Sequence, residues 1–251
     1  MGWPAIFYFL SIYGLIVAAV VLLYTPKQRL RPAEKEKRNL LTGLKTMLVN
    51  YAAVLAKPAG RLYLAGMGMN ISVYMVFATS ASFAYMEYLG ASLELFPFLL
   101  GANTISLIFG NRLGSYLLKS REPSEVCILG STAMALSCAA LVAYLILFDP
   151  QLYVVVGFIL LIAASIPMSG PISSAIFMQL YDKNAGTASA SMGVSRVLFG
   201  MLGGFVVTWL YNGTLMPMAG LMLLIALPAN LFFRLGAKEL INQNNIAGRA
   251  G

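Results

Sequence analysis

The residues that could recognise a solute lie inside long apolar segments of this chain. Arg196 stands near the middle of the segment 187–210. An arginine at the centre of a membrane costs a few kcal/mol or more, so it normally faces a cavity or a partner. We interpret Arg196 as an electrostatic element for a substrate or a gate. A structural pair with a carboxylate or with carbonyl groups is the alternative.

A second set of polar and aromatic residues recurs at helical spacing. Asn70, Tyr74 and Phe77 share one face of the segment 62–84, and Asn103 lies on the next segment. Aromatic rings together with an amide suit an amphipathic organic ligand, because they offer stacking and a hydrogen bond. We therefore predict that these residues line a substrate cavity. Core packing is the alternative for such a stripe.

A helix break is predicted between these candidates. Pro167, Gly170 and Pro171 fall in the middle of the segment 152–178. Each proline removes a backbone hydrogen bond and bends the helix axis. A bent helix can line a cavity or act as a gate, and a static packing kink is the alternative.

The residue types that are missing exclude several kinds of chemistry. The chain has no histidine, and no Asp or Glu lies in the middle of an apolar segment. A membrane enzyme, which needs catalytic acids, histidines or a nucleophile with its base, is therefore disfavoured. The two cysteines, Cys127 and Cys138, have no metal-ligand spacing and are predicted to be core residues. We predict no metal and no cofactor.

The elements that must position these residues are transmembrane helices. Hydrophobic residues make up 59% of the 251 positions and charged residues 10%. A soluble domain has about 25% charged residues. Spans of roughly 20 apolar residues are long enough to cross a bilayer as helices. We predict an all-α membrane protein with seven transmembrane helices at 3–25, 62–84, 95–117, 126–148, 152–178, 187–210 and 214–235.

One helix and one loop have further recognisable features. A stripe of small residues along the sixth segment, 187–210, is expected to be a helix-packing face and comprises Gly186, Gly193, Gly200 and Gly204. Residues 26–61 form a basic loop whose second part has the apolar spacing of an amphipathic helix on the membrane surface. A linker with an interfacial segment is the simplest interpretation of this loop, and a regulatory or partner-binding role is the alternative.

The distribution of charge predicts the orientation. If the chain crosses seven times, every Lys and Arg outside the spans falls on one side, while the loops on the other side carry Glu87, Glu94 and Asp149. The positive-inside rule places the basic side in the cytoplasm. The N-terminus is then outside, and residues 236–251 form a cytoplasmic tail. This topology and contact with anionic lipid account for the net charge of +8, so we expect no nucleic-acid partner.

Several short motifs resemble the major facilitator superfamily, and most of all its Bcr/CflA type of drug-efflux transporter. Residues 2–8 are similar to the start of the sixth helix of that type, and 77–87 to the end of the seventh. Asn111 and Arg112 are similar to the second copy of the superfamily's loop motif, and 185–190 with Gly193 to the start of the eleventh helix. By this resemblance, residues 1–25 match the last helix of the N-terminal half, 26–61 the joining loop, and 62–235 the six-helix C-terminal half.

The resemblance implies an activity and partners. It implies multidrug or small-molecule efflux by proton antiport with alternating access, in the bacterial inner membrane, on small amphipathic organic substrates. It also implies that the N-terminal transporter half is missing and that the chain alone does not transport. A non-transporting remnant or scaffold is the main alternative. A seven-helix receptor is a weaker one, because the last span, 214–235, has no lysine for a retinal.

Overall fold

A computed structural model of the chain describes residues 4–24, 49, 51–181 and 184–249, and helices account for nearly all of them. Residues 1–44 and 45–251 form two separate units. The first contains α1 (Pro4–Tyr24). The second contains, in chain order, α2 (Pro58–Ser82), α3 (Leu95–Leu117), α4 (Pro123–Leu147), α5 (Leu152–Gln179), α6 (Ala185–Trp209) and α7 (Met216–Arg249).

Six of these seven long helices are long and apolar enough to cross a membrane, namely all except α3. Helix α3 has the required length of 23 residues, but Asn103, Asn111 and Arg112 make it less apolar. The described part of the chain contains no β-strand. The prediction of an all-α membrane protein is thus confirmed, and each of the seven predicted segments contains a long helix.

The helix boundaries differ from the predicted spans in two ways. Some helices begin earlier, at a proline, and the last helix continues beyond the predicted end. Helices α2 and α4 begin at Pro58 and Pro123, where the missing proline N–H is not needed. Helix α7 continues past residue 235 to Arg249, and the Ala-Lys-Glu-Leu run at 237–240 favours helix directly after the predicted span. At its other end, α2 runs directly into a π-helix, Phe83–Tyr88, which no local signal in the sequence predicted.

Close helix contacts are made through glycines that face neighbouring backbones. Helix α3 approaches α5 at Gly110, where a Cβ would collide with the carbonyl oxygen of Ala164. Helix α4 approaches the same part of α5 at Gly130, where a Cβ would lie 2.7 Å from the Cβ of Met168. These contacts hold α5 between α3 and α4 at Ala164, just before Pro167, and at Met168, between its two prolines.

The predicted glycine face of α6 packs along only half of its length. Gly200 and Gly204 lie against Met75 and Thr79 of α2, at Cβ distances of 3.1 and 2.9 Å. Gly186 and Gly193 have no atom within 4 Å of a Cβ position. The expectation of a packing face was therefore wrong for Gly186 and Gly193, although α2 still contacts this part of α6 through the 2.8 Å bond from the Ser195 hydroxyl to the carbonyl of Leu64.

The second unit has two ends of different charge. Because α2 to α7 are joined by short connections, the turns after α3 and α5 lie at one end, together with Lys57, Arg61 and the last part of α7; we call this the basic end. The π-helix and the loops 89–94, 148–151 and 210–215 lie at the other end. These segments carry Glu87, Glu94 and Asp149 but no Lys or Arg, and we call this the acidic end.

The last part of the 26–61 segment is anchored at the basic end. Residues 51–56 are helical, and most of the residues before them, with Leu40, Leu44, Met47 and Leu48, lie outside the described part. The Tyr181 hydroxyl donates a 2.6 Å hydrogen bond to the carbonyl of Val54, and the Nζ of Lys57 lies 4.8 Å from the centre of the Tyr181 ring. Burial raises the pKa of Tyr181, so the hydroxyl keeps its proton and its bond. This contact fixes where the segment meets α2.

Candidate functional site

The main cavity of the second unit lies where α5 is interrupted by proline. It has a volume of about 520 Å³, and α2, α5 and α6 all contribute to it. Pro167 and Pro171 remove the backbone bonds that would end on the carbonyls of Ala163 and Pro167. The residues that line the cavity are Met67, Asn70, Ile71, Ile166, Pro167, Gly170, Pro171, Ser174 and Arg196. Five of the predicted site residues therefore meet here, namely Asn70, Pro167, Gly170, Pro171 and Arg196.

Asn70 is fixed on the α2 side of this cavity. Its side chain is 2% exposed, and its Nδ2 donates to the hydroxyl of Ser169 on α5. Ser169 in turn donates to the carbonyl of Ile166 at 3.1 Å. A Cβ at Gly170 would lie 4.0 Å from the Oδ1 of Asn70, which is a van der Waals contact. The amide nitrogen is thus used internally, while the amide oxygen is directed towards the space beside Gly170.

Arg196 projects from the middle of α6, about 16 Å along the helix from its start. Its Nη2 donates to the hydroxyl of Ser174 on α5, and Ser174 donates to the carbonyl of Gly170 at 2.8 Å. Among the described residues Arg196 has no carboxylate partner, so its charge is held by a neutral hydroxyl. The side chain is exposed. The charge is therefore presented to the cavity rather than neutralised inside the fold.

Tyr74, Phe77 and Asn103 lie in a different environment. They line a gap of only about 10 Å³, which is filled by Val73, Ile159, Ile162 and Met222. Phe77 and Asn103 are each 3% exposed, and the Nδ2 of Asn103 has no hydrogen-bond partner. Ile166 lines both this gap and the main cavity, and separates them. The structure thus divides the predicted ligand face of α2 between the large cavity, which Asn70 lines, and this small gap, which Tyr74 and Phe77 line and which we call the sealed gap.

The predicted loop motif lies beside the same prolines. Asn111 lines a second cavity of about 180 Å³ together with Ser115, Pro167, Pro171 and Ala175. Arg112 is exposed and does not line this cavity. Because both cavities are lined by Pro167 and Pro171, this part of α5 has free space on two sides.

Sequence reasoning missed one polar cluster between α4 and α7. The Nδ2 of Asn230 donates to the hydroxyls of Ser131 and Thr132, each at 2.8 Å. The Oδ1 of Asn230 accepts a 2.8 Å bond from Nε of Arg234, and Thr132 accepts another from Nη2 of Arg234 at 3.1 Å. The sequence contained a signal for this cluster, because Asn230 and Arg234 are one helical turn apart near Pro228. All these donors are used, so we interpret the cluster as a helix-pairing contact.

The comparisons with known proteins agree with this architecture. Residues 1–204 match the family model of the Major Facilitator Superfamily. The chain belongs to the major facilitator superfamily. It is a multi-pass membrane protein of a transporter family, not of an enzyme family. Among the described residues, no group of three or more Cys, Asp or Glu side chains could hold a metal ion.

One curated relative supports the same assignment. The chain is 25% identical over 248 residues to the "Uncharacterized MFS-type transporter YdgK" of Bacillus subtilis (strain 168), which covers 97% of this chain. The matched region is 59% of that relative, so the chain spans less than two thirds of its length. No solved structure matches the chain.

Proposed function

We propose that this chain is the C-terminal half, with one preceding helix, of a transporter that exports small amphipathic organic molecules in exchange for protons. The observation that carries the proposal is the cavity of about 520 Å³ that brings Asn70, Arg196 and the interrupted helix α5 together. Within the superfamily, the motifs at Asn111–Arg112 and at 185–190 support the Bcr/CflA type of drug-efflux transporter.

The lining of the cavity favours a solute with both apolar and polar parts. Small-molecule sites are mostly apolar spaces of about 300–1,000 Å³ with a few placed polar groups. Met67, Ile71 and Ile166 supply the apolar wall here, Asn70 supplies an amide oxygen, and Arg196 supplies the one charge in the lining. A cation would be repelled by Arg196. The cavity therefore favours substrates that are neutral, or anionic at one end.

The interrupted helix supports alternating access. Gly110 and Gly130 hold α5 at Ala164 and Met168, whereas Pro167 and Pro171 line free space on two sides. Each proline also removes a backbone hydrogen bond, so the helix can bend on the side of the two cavities. We propose that Pro167, Gly170 and Pro171 form this hinge while one half rocks against the other around the cavity.

The proposed partner is the N-terminal half of the transporter. Arg196 is exposed, so a surface that faces α6 would complete the cavity. No Asp or Glu lies in the middle of a span, so the group that carries the proton would belong to that half. The sealed gap at Tyr74, Phe77 and Asn103 would join the substrate site when the halves move. The basic end would face the cytoplasm of a bacterial inner membrane, and the N-terminus of this chain would lie outside.

A transport assay in everted membrane vesicles tests this function. We expect a neutral amphipathic compound, chloramphenicol, to be exported when the chain is co-expressed with an N-terminal half of the superfamily, and not by the chain alone. An uncoupler should abolish export. Asn70→Leu should slow it roughly tenfold, because one hydrogen bond to the solute is lost.

A matched variant shows whether the cavity is responsible. Thr104→Val changes an exposed hydroxyl on α3 outside both cavities and should leave export unchanged. Export that ignores the uncoupler would reject proton antiport. Export that is equally affected by Asn70→Leu and Thr104→Val would reject the cavity as the substrate site. A chain that binds no partner half and exports nothing would favour the alternative of a non-transporting scaffold.

A further inference from the structure

A separate pocket lies at the acidic end, more than two helical turns along α2 from Asn70. It has a volume of about 280 Å³ and lies between the π-helix and the end of α6. The residues that line it are Thr79, Ser80, Phe83, Glu87, Val207, Thr208 and Tyr211. None of them lines the main cavity, so this pocket is a distinct feature of the molecule.

The pocket is built by ordered backbone on both sides. On one side the π-helix Phe83–Tyr88 places Phe83 and Glu87, four residues apart, on the same side of the chain. Such local π-helices are often found at functional sites. On the other side the Oδ1 of Asn212 accepts bonds from the backbone N–H of Thr214 at 3.1 Å and from its hydroxyl at 2.7 Å. This turn ends at Gly213, whose φ of +80° suits glycine, and it fixes the position of Tyr211.

The aromatic wall of the pocket is a pair of rings in edge contact. The ring centres of Phe83 and Tyr211 lie 4.4 Å apart, and the ring planes are inclined at 83°. Tyr211 is half exposed, so part of its ring remains open to the pocket. The face of an aromatic ring carries negative partial charge and attracts cations. The wall is therefore apolar and also favourable to a positive group.

The charge at this end has the opposite sign from that of the main cavity. Glu87 is exposed, and among the described residues it has no cationic partner. The nearby loops add Glu94 and Asp149 and contain no Lys or Arg. A carboxylate beside open aromatic rings is the combination that recognises an organic cation. Arg196 in the main cavity would repel the same molecule.

We propose that this pocket is a binding site for a small organic monocation, with its charged centre beside Glu87 and its apolar part against Phe83 and Tyr211. The site is independent of the proposed transport activity, because it lies wholly within the chain and needs neither a partner half nor the main cavity. Its volume is just below the usual range of ligand sites, so it fits one aromatic group with a quaternary ammonium.

A binding experiment can use a natural reporter beside the pocket. The chain has two tryptophans, Trp3 and Trp209, and Trp209 follows the pocket residue Thr208 directly. In a Trp3→Phe background, purified chain in detergent is titrated with benzyltrimethylammonium while Trp209 emission is recorded. We expect a saturable change that benzylsulfonate, the anionic analogue, does not produce. Calorimetric titration of the same samples measures binding without relying on Trp209.

Paired variants decide whether Glu87 is the cause. Glu87→Gln should weaken binding about fivefold, the upper range for one exposed charge pair. Glu94→Gln removes the same charge at the same end but does not line the pocket, and should leave binding unchanged. Tyr211→Ala should also weaken binding, and Asn70→Leu should not. Thermal unfolding is measured first, to check that all variants are as stable as the parent chain.

Three outcomes would overturn the proposal. One is the absence of saturable binding in both the fluorescence and the calorimetric titration. Another is equal binding of the cation and of benzylsulfonate. The third is an equal loss of affinity in Glu87→Gln and Glu94→Gln, because that would show attraction to the acidic end in general and no defined site.

Discussion

The main cavity and the sealed gap are two neighbouring regions that share the same pair of helices. Both are lined by α2 and α5, and Ile166 lies between them. The cavity measures about 520 Å³ and the gap about 10 Å³. Around Asn70 the opposing residues are Gly170 and two prolines. Around Tyr74 and Phe77 they are Ile159, Ile162 and Met222, whose side chains fill the space.

This difference shows that one helical face does not have one function along its whole length. Asn70 and Tyr74 are a single turn apart on α2, yet Asn70 lines the large cavity and Tyr74 lines the small gap. The residues opposite α2 determine how much free space remains beside it. A glycine and a proline-interrupted backbone leave space, whereas branched and long apolar side chains fill it. Substitutions at Gly110, Asn103 and Asn70 alter these regions one at a time.

The largest effect on the free energy of unfolding is expected at the contact between α3 and α5 beside the sealed gap. Gly110→Ala should lower the free energy of unfolding by about 2 kcal/mol, because its Cβ would collide with the Ala164 backbone and force the helices apart. Equilibrium unfolding in detergent measures this. Gly101→Ala on the same helix has no atom within 4 Å of its Cβ and should be neutral or stabilising by up to about 1 kcal/mol. Equal effects of the two substitutions would contradict the close contact.

A smaller effect of opposite sign is expected in the sealed gap. Asn103→Leu should raise the free energy of unfolding by about 1 kcal/mol, because it replaces a buried amide whose Nδ2 has no partner by an apolar side chain of similar size. The same unfolding assay applies. A clear destabilisation would show that the amide has a partner, such as a bound water, and that the gap is wet.

The smallest effect on stability is expected at the cavity. Asn70→Leu removes the bond to Ser169, but Ser169 keeps its own bond to Ile166, so no buried hydroxyl is left unpaired. We expect a loss of about 0.6 kcal/mol, the average for such contacts in membrane helices. Transport should be measured on the same variant, because Asn70→Leu should impair export far more than it impairs stability. A large loss of stability would instead assign Asn70 to the core.

Much of the fold could be predicted from the lengths of the apolar runs. Each of the seven helices coincides with an apolar stretch of the right length, and the two cavities lie beside the prolines at 167 and 171. The contact between Gly110 and Ala164 could not be predicted, because the sequence pattern of one helix does not identify the residue that it contacts on another helix. The π-helix at Phe83–Tyr88 has no local signal of its own and arises from the packing of the whole bundle.

The candidate site was only partly accessible to the same reasoning. Polarity identified Asn70 and Arg196, because a buried amide and a mid-span arginine are costly unless they face a cavity or a partner. It identified Tyr74, Phe77 and Asn103 equally well, yet their neighbours seal them off. The pocket at Glu87 was missed, since its wall combines the end of one helix with the loop after another.

Access of water to position 196 shows whether the main cavity is open to a solute. A cysteine introduced at 196 or at 103 is exposed to a charged thiol reagent, trimethylammonium-ethyl methanethiosulfonate, with the chain in lipid bilayers. The native Cys127 and Cys138 are buried and should stay unmodified. We expect rapid labelling of Arg196→Cys and no labelling of Asn103→Cys. If the cysteine at 196 is as inert as the cysteine at 103, the cavity is not open to a solute and the proposed site is wrong.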